Sequence, residues 1–369
     1  MDYQNDKPNI DYSLLSHDDR EALSQAYNQV MSYGHIKESA KKCTLGVTWK
    51  TSVQMFTVNQ LQWCATLYNQ IHDHTYKSKG FYRFWICERG KTRFIQSVHI
   101  SERCVQKTLN NYGLKPYIIN RLIYDNGASL SGKGTEFSLK RLRKHLATHY
   151  RKHRRRGGIL IIDFHDYFNS IPHSQLLPLI RYAIQNDDIY NLSKYFIDAF
   201  GDIGLGLESE ISQIAAVYYP NYLDHYIKER LHIKGYGRYM DDIYIIHEDI
   251  DYLRYVLTEV KRIASDLGIQ LNPKTSITRF ESGSFVYLKR RHRITTSGKI
   301  VSRLLRTNIT KRRRVLKRQK RQLSIGKSDI SSIRQSYQSW RGYALKWNSK
   351  RSVWNMDRLY RQLFEVNTE

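Results

Sequence analysis

Tyr239-Met240-Asp241-Asp242, followed by Ile243-Tyr244-Ile245-Ile246, decides how this chain is read. Two adjacent carboxylates come after an aromatic and a flexible apolar residue, and the apolar run behind them has the character of a strand. A second such run, Gly158-Ile159-Leu160-Ile161-Ile162, ends in Asp163. If the two strands pair in one sheet, three carboxylates collect at one rim. Magnesium takes hard oxygen ligands and keeps several waters, so this set suits two magnesium ions holding a nucleoside triphosphate.

The bulk properties agree with a large globular chain that meets a polyanion. Its 369 residues allow two or three subdomains around a sizeable core. Hydrophobic residues make up 41% and charged residues 25%, which excludes a disordered chain. The formal net charge is +26, and 28 tyrosines accompany it. Such charge draws a chain to nucleic acid, and aromatic rings offer stacking surfaces for bases. Solubility charge would be scattered, whereas Ser282 to Ser328 holds sixteen Lys and Arg and no acid. Lys140 to Arg156 is also free of acids. Cys43, Cys64, Cys87 and Cys104 lie far apart, with no zinc-ligand spacing, and read as thiols of a reducing compartment. No apolar run approaches the ~18 residues of a membrane span, and the polar start is no signal peptide. A cytoplasmic protein with no membrane partner is expected.

The order of elements predicts an α+β core with a helical appendage. Residues 1 to about 80 read as helical, with Asp18-Asp19-Arg20-Glu21 opening a segment that runs to Tyr33. Tyr82–Ile86 and Arg93–Val98 form a hairpin, and Ser101 begins a helix. Ser131-Gly132-Lys133-Gly134-Thr135 is a loop opening a basic helix to His149. Helices through 174–200, a glycine loop from Gly201 to Gly206 and a long helix from Ser209 to Glu229 precede the Tyr239 hairpin. A helix from Asp251 to Leu267, a short sheet over Phe285–Arg293 and three basic helices from about Asn308 follow, with breaks near Gly326 and Ser349.

Phosphoryl transfer to a 3′-hydroxyl needs an attacking oxyanion and a stabilised leaving pyrophosphate, and two magnesium ions about 4 Å apart serve both ends. Asp163 and Asp241 are the expected bridging ligands, Asp242 is a third, and Phe164 completes the metal set. Mn2+ is a substitute ion. Successive strand residues face opposite sides, so Asp241 and Asp242 need not do equal work. A solvated hairpin tip beside an unrelated strand end is the competing reading.

Tyr239-Met240-Asp241-Asp242 resembles the Y-x-D-D signature of reverse transcriptases, here of the prokaryotic retroelement, prophage or defence-associated kind. Asp163-Phe164-His165-Asp166-Tyr167-Phe168-Asn169-Ser170-Ile171-Pro172-His173 is similar to the family's first palm motif. Leu207-Glu208 through Ser212-Gln213 occupies the place of its glycine-serine motif, and Asn272-Pro273-Lys274-Thr275 that of its later lysine motif. The likeness runs from about Tyr82 to Trp354. It implies a right-hand polymerase: an N-terminal helical extension (1–80), fingers (81–156), a palm (157–293) and a basic helical thumb (294–369).

The resemblance also implies roles. Phe168 matches the aromatic that blocks a ribose 2′-hydroxyl; a core aromatic is the alternative. Lys91 and Arg93 match fingertip cations that grip triphosphate, where a solvated turn competes. Arg103 matches a nucleic-acid-contacting fingers arginine or an ion-pair partner. Lys133 lies in a glycine-rich motif near the template backbone. Lys274 is placed to protonate pyrophosphate, or is a surface lysine. Leu207, Ser212 and Gln213 fall at the nucleotide pocket and template base. Two positions depart from the family: Glu208 stands where a glycine is usual, and Leu207 where retroviral enzymes have glutamine. An apolar residue there resembles retroelements that diversify genes by error-prone copying.

The thumb cations Lys311, Arg312, Arg313, Arg314, Lys317 and Arg318 would track a duplex backbone without reading sequence. Expected partners are an RNA template and RNA/DNA hybrid, deoxynucleoside triphosphates, a structured non-coding RNA and an accessory protein. With little chain after Trp354, no RNase H or integrase domain is expected. RNA-directed DNA synthesis leads; template-independent or protein-primed synthesis in phage defence and a non-catalytic RNA-binding scaffold are the rivals.

Overall fold

The computed structural model describes residues 26–88, 91–207 and 209–365. The start of the predicted Asp18–Tyr33 helix, the turn at 89–90 and Glu208 lie outside them. Three helices, α1 (Tyr33–Thr44), α2 (Thr51–Val58) and α3 (Gln60–His72), pack on α4 (Ile100–Thr108). Between them β1 (Phe81–Glu88) and β2 (Lys91–Val98) form an antiparallel hairpin that pairs Ile86 with Arg93. After α4 a π-helical turn, Leu109–Leu114, leads to α5 (Lys115–Ile119) and the long basic α6 (Thr135–His153).

The central sheet has the order β4-β5-β3-β6. Its members are β3 (Gly158–Ile162), β4 (Gly235–Tyr239), β5 (Asp242–His247) and β6 (Ser276–Arg279), and every pairing is antiparallel. The runs in β3 and β5 are continuously apolar because both faces of the sheet are covered, so no position needs a polar side chain. Leu160, Ile162, Ile243 and Ile245 belong to one core, with Leu253, Val256 and Val260 of α12 (Ile250–Asp266). Ile159, Tyr244 and Ile246 belong to another, with Leu139, Leu142 and Leu146 of α6. The Asp249 carboxylate caps α12 by accepting from the amides of Asp251 and Tyr252.

Between β3 and β4 lie α7 (Tyr167–Ser170), α8 (His173–Ala183), α9 (Asp187–Asp198), α10 (Glu210–Tyr218) and α11 (Asn221–His225). The long helix expected from Ser209 to Glu229 is therefore broken. Pro220 has no amide hydrogen to continue the ladder, so α10 stops at Tyr218 and α11 starts after the proline. The strand β6 was not foreseen.

A second sheet is made of β7 (Phe285–Tyr287), β8 (Arg290–Ile294) and β9 (Ile300–Leu304), longer than the one expected over Phe285–Arg293 because β9 pairs along all of β8. The tail is α13 (Arg306–Ser324), α14 (Ile330–Leu345) and α15 (Lys350–Phe364), joined by Leu316, Ile333, Tyr337, Met356 and Tyr360. The α+β expectation holds. No helix among the described residues is long and apolar enough to cross a membrane.

Candidate active site

Register builds the site. Ile162 pairs with Ile243, so Asp163, one residue on, arrives opposite Asp242. Tyr239 pairs with Asp242, which leaves Met240 and Asp241 as a two-residue hairpin loop. Asp163, Asp241 and Asp242 are all half-buried, and the Asp163 and Asp241 carboxyl groups come within hydrogen-bonding reach. Burial first, then the Asp163 charge, pushes Asp241 up to about 6. Burial and the charges of Asp241 and Asp163 push Asp242 up to about 7, against an opposing pull from Lys289.

No group of three or more His, Cys, Asp or Glu side chains among the described residues is arranged as a ready metal site. The donor set nevertheless fits a divalent cation. Carboxylates that repel one another in a desolvated rim gain from a cation what they lack from a proton. The Phe164 ring is buried in the core, so only its main-chain carbonyl is left as a donor.

Neighbouring segments are fastened to this rim. The carbonyl of Asp163 accepts from the Asn272 amide at 2.7 Å, and His165 donates to Gln270 at the same distance. This holds the Asn272-Pro273-Lys274 turn beside Asp163 and leaves Lys274 exposed. Phe168, on α7, is half-buried, and its carbonyl accepts from Leu205 at 2.7 Å. The buried His173 bonds the Gly204 carbonyl at 2.7 Å, so the glycine loop leading to Leu207 is tied to the Phe168 segment. Leu207 itself is 37% exposed.

Other predicted residues stand in different surroundings. Ser212 is wholly buried in α10, and its hydroxyl has no hydrogen-bond partner. Gln213 and Arg103 share a cavity of about 340 Å³ with Lys42, Lys107, Lys115 and Glu210. Lys133 folds back to donate to the carbonyls of Tyr124 (2.7 Å) and Asn126 (3.0 Å). The backbone of Lys91 and Arg93 belongs to β2, but their side chains lie outside the described residues. Along α13, Lys311, Arg313, Arg314, Lys317 and Arg318 are exposed, and Arg306, Lys311, Arg314 and Arg318 line a groove of about 710 Å³. Arg312 is a correction: it is buried, donates to Ser336 at 3.2 Å and lies over the Tyr337 ring, so it packs the helices together.

Sequence reasoning missed the groups beneath the hairpin. Arg238 and Asp224 are both wholly buried and form a forked ion pair, with Nη2 2.6 Å from Oδ2 and Nε 2.9 Å from Oδ1. Tyr236 donates to the same carboxylate. Arg238 also donates from Nη2 to the Val217 carbonyl (2.8 Å) and from Nη1 to that of Met240 (3.2 Å). Tyr167 donates to the Ala216 carbonyl at 2.6 Å. Gly237 leaves room for the Tyr244 ring, since a Cβ there would come 2.6 Å from its hydroxyl and force the ring to shift. The main chain of Arg238 bonds Asp125 and Gly127, and buried Asp125 pairs in turn with Arg141 and Lys228.

Comparison with known proteins gives a family. Residues 76–289 match the reverse transcriptase (RNA-dependent DNA polymerase) family, more than half of the chain. No curated protein matches it. Among solved structures, telomerase from Candida albicans in complex with a TWJ fragment of telomeric RNA is 10% identical, with a TM-score of 0.49, over 61% of this chain and 47% of that one. Apo telomerase from Candida tropicalis, truncated from its C-terminal domain, is 14% identical, with a TM-score of 0.46, over 60% of this chain and 54% of that one. The chain spans about half the length of these structures.

Proposed function

Because this chain belongs to the reverse transcriptase (RNA-dependent DNA polymerase) family, we propose that it copies RNA into DNA by adding deoxynucleotides to a primer 3′ end. One observation carries the proposal: the register that joins the end of β3 to the β4–β5 turn, and so Asp163 to Asp241 and Asp242. Those three carboxylates, with the Phe164 carbonyl, would hold two Mg2+ ions, or Mn2+ in their place. Bound there, the ions supply Lewis acidity to the attacking hydroxyl and charge compensation to the leaving pyrophosphate.

The chain's own residues do the positioning. Lys274, in the turn fastened to Asp163, is the candidate donor of a proton to pyrophosphate. Lys91 and Arg93 are the candidate grips on triphosphate. Phe168, beside the loop that ends at Leu207, is the candidate barrier to a ribose 2′-hydroxyl. Phe168→Ala should therefore narrow the preference for deoxynucleotides by about 10- to 100-fold, the range that one steric contact commands. Competition between labelled dNTP and rNTP checks this; unchanged sugar selectivity removes the assignment.

The exposed face of α13 supports duplex binding through phosphates. Replacing Lys311, Arg314, Lys317 and Arg318 by Gln should weaken binding alike for all sequences. Each loss should make the plot of log affinity against log salt shallower by about 1. A slope equal to wild type would place the nucleic acid elsewhere.

The biological setting is proposed on the apolar Leu207: cytoplasmic service to a bacterial or phage retroelement or an antiviral defence system, with a structured RNA and an accessory protein as partners. The function is tested by giving purified protein Mg2+, primed RNA and labelled deoxynucleotides. Primer extension that disappears without the RNA is expected. Equal synthesis without template turns the reading to template-independent polymerisation, and none at all to a scaffold.

A further inference from the structure

We infer that Arg238 is a positioning residue for the catalytic turn: it fixes Asp241 by holding the carbonyl of Met240, and Asp224 holds Arg238. The inference rests on the polymerase reading and names what sets the geometry of that site. Both charges are 0% exposed. A buried ion pair is a poor way to stabilise a core, because apolar side chains of similar volume serve as well or better. The pair therefore calls for a second purpose, and its bonds supply one. Asp224 occupies Nε and one side of Nη2, while Nη1 reaches the Met240 carbonyl at 3.2 Å.

Met240 needs such a hold. Its φ of +55° lies in the left-handed region, which a residue with a Cβ adopts only at a cost. The arginine meets that turn from below, one residue before Asp241. It also joins the turn to the other half of the site. Ala216 and Val217 lie in the last turn of α10, where carbonyls lack partners within the helix. Tyr167, four residues after Asp163, donates to the first, and Arg238 donates to the second. The Asp163 segment and the Asp241 turn are thus docked on the same helix end. A cation also suits the negative end of a helix dipole. A planar fork can serve Asp224, Val217 and Met240 together, which a lysine's single ammonium cannot.

Two variants separate positioning from mere packing. The pair Asp224→Leu with Arg238→Met fills the space with apolar atoms, and Arg238→Lys keeps the counter-charge while losing the fork. Thermal unfolding, Mn2+ affinity by electron paramagnetic resonance and steady-state incorporation are measured beside wild type. Both variants should fold, bind Mn2+ about 10- to 100-fold more weakly and lose about 100-fold in kcat, with KM for deoxynucleotide little changed. A folded variant of either kind with wild-type Mn2+ affinity and kcat overturns the inference. So does the failure of both to fold, since the pair is then a folding element. If wild type binds Mn2+ but extends no primer, the polymerase reading fails alone, and the Mn2+ comparison still judges Arg238.

Discussion

Replacing Asp241 by Asn is expected to cut primer extension by about 10³-fold or more while leaving the protein folded. The carboxylate stands where a divalent ion would stabilise several kcal/mol of developing charge in the transition state, and about 4 kcal/mol is a factor of 10³ in rate. Asp163→Asn should match it, since those two carboxyl groups face each other. Asp242→Asn should cost less, because Asp242 begins the strand rather than forming the tip of the loop. Single-turnover extension on primed RNA ranks the three. Equal activity in the Asp241 variant and wild type would take the chemistry away from this rim.

The substitutions at Asp241 and Asp242 should stabilise the metal-free protein. Asp242 is raised to about 7 in the folded chain, against 3.8 as the ordinary value. Between those values the folded state keeps a proton that the unfolded state has lost, so stability falls as pH rises from about 4 to about 7 and then levels. Asp242→Asn lacks this loss. Its melting temperature should exceed that of wild type by several degrees at pH 8 and by nothing near pH 4. Mg2+ should reverse the order, and its apparent affinity for wild type should rise with pH as the protons leave. A variant no more stable at pH 8 than at pH 4, relative to wild type, would deny the buried repulsion.

The second large effect concerns Asp125. Its buried carboxylate accepts from Arg141 on α6 and sits 2.6 Å from the Lys228 ammonium. These bonds hold it below the usual carboxylate range although burial opposes them. His145 is part of the same group, and burial pushes it down to about 4, so it is neutral at pH 7 and bonds the Tyr244 hydroxyl at 3.0 Å. Asp125→Ala would leave two cations facing each other beside β4. A cost of about 3 kcal/mol is expected, the lower end for breaking a buried pair, because Arg141 and Lys228 keep some contact with water. Denaturant unfolding of the variant measures it. A change under about 1 kcal/mol would mean that solvent already screens the pair.

The parts of this architecture that the sequence made legible are those where one local signal suffices. The apolar runs of β3 and β5 read as strands, and once the two pair the carboxylates at their ends meet at one rim. Pro220 was equally plain as a helix stop, yet the apolar residues on either side led to one long helix. Strand β6 was hidden because Ser276-Ile277-Thr278-Arg279 lies on a sheet edge and shows no strong alternation. Arg312 was legible in principle. It falls in the register of Ile309, Leu316 and Leu323, so the helix turns it inward, but a run of four cations obscured that phase. Arg238 and Asp224 were not legible: fourteen residues apart, on a strand and a helix, each resembles an ordinary surface charge. Only the topology reveals that they meet beneath Met240.

The central claim is that Asp163, Asp241 and Asp242 form one metal-binding rim. Anomalous diffraction from crystals grown with Mn2+, primed RNA and a non-reacting deoxynucleotide analogue tests it most directly. Two Mn2+ peaks bridged by Asp163 and Asp241, with the analogue's triphosphate upon them, is the predicted result. A triphosphate bound elsewhere, with no Mn2+ at these carboxylates, would contradict it.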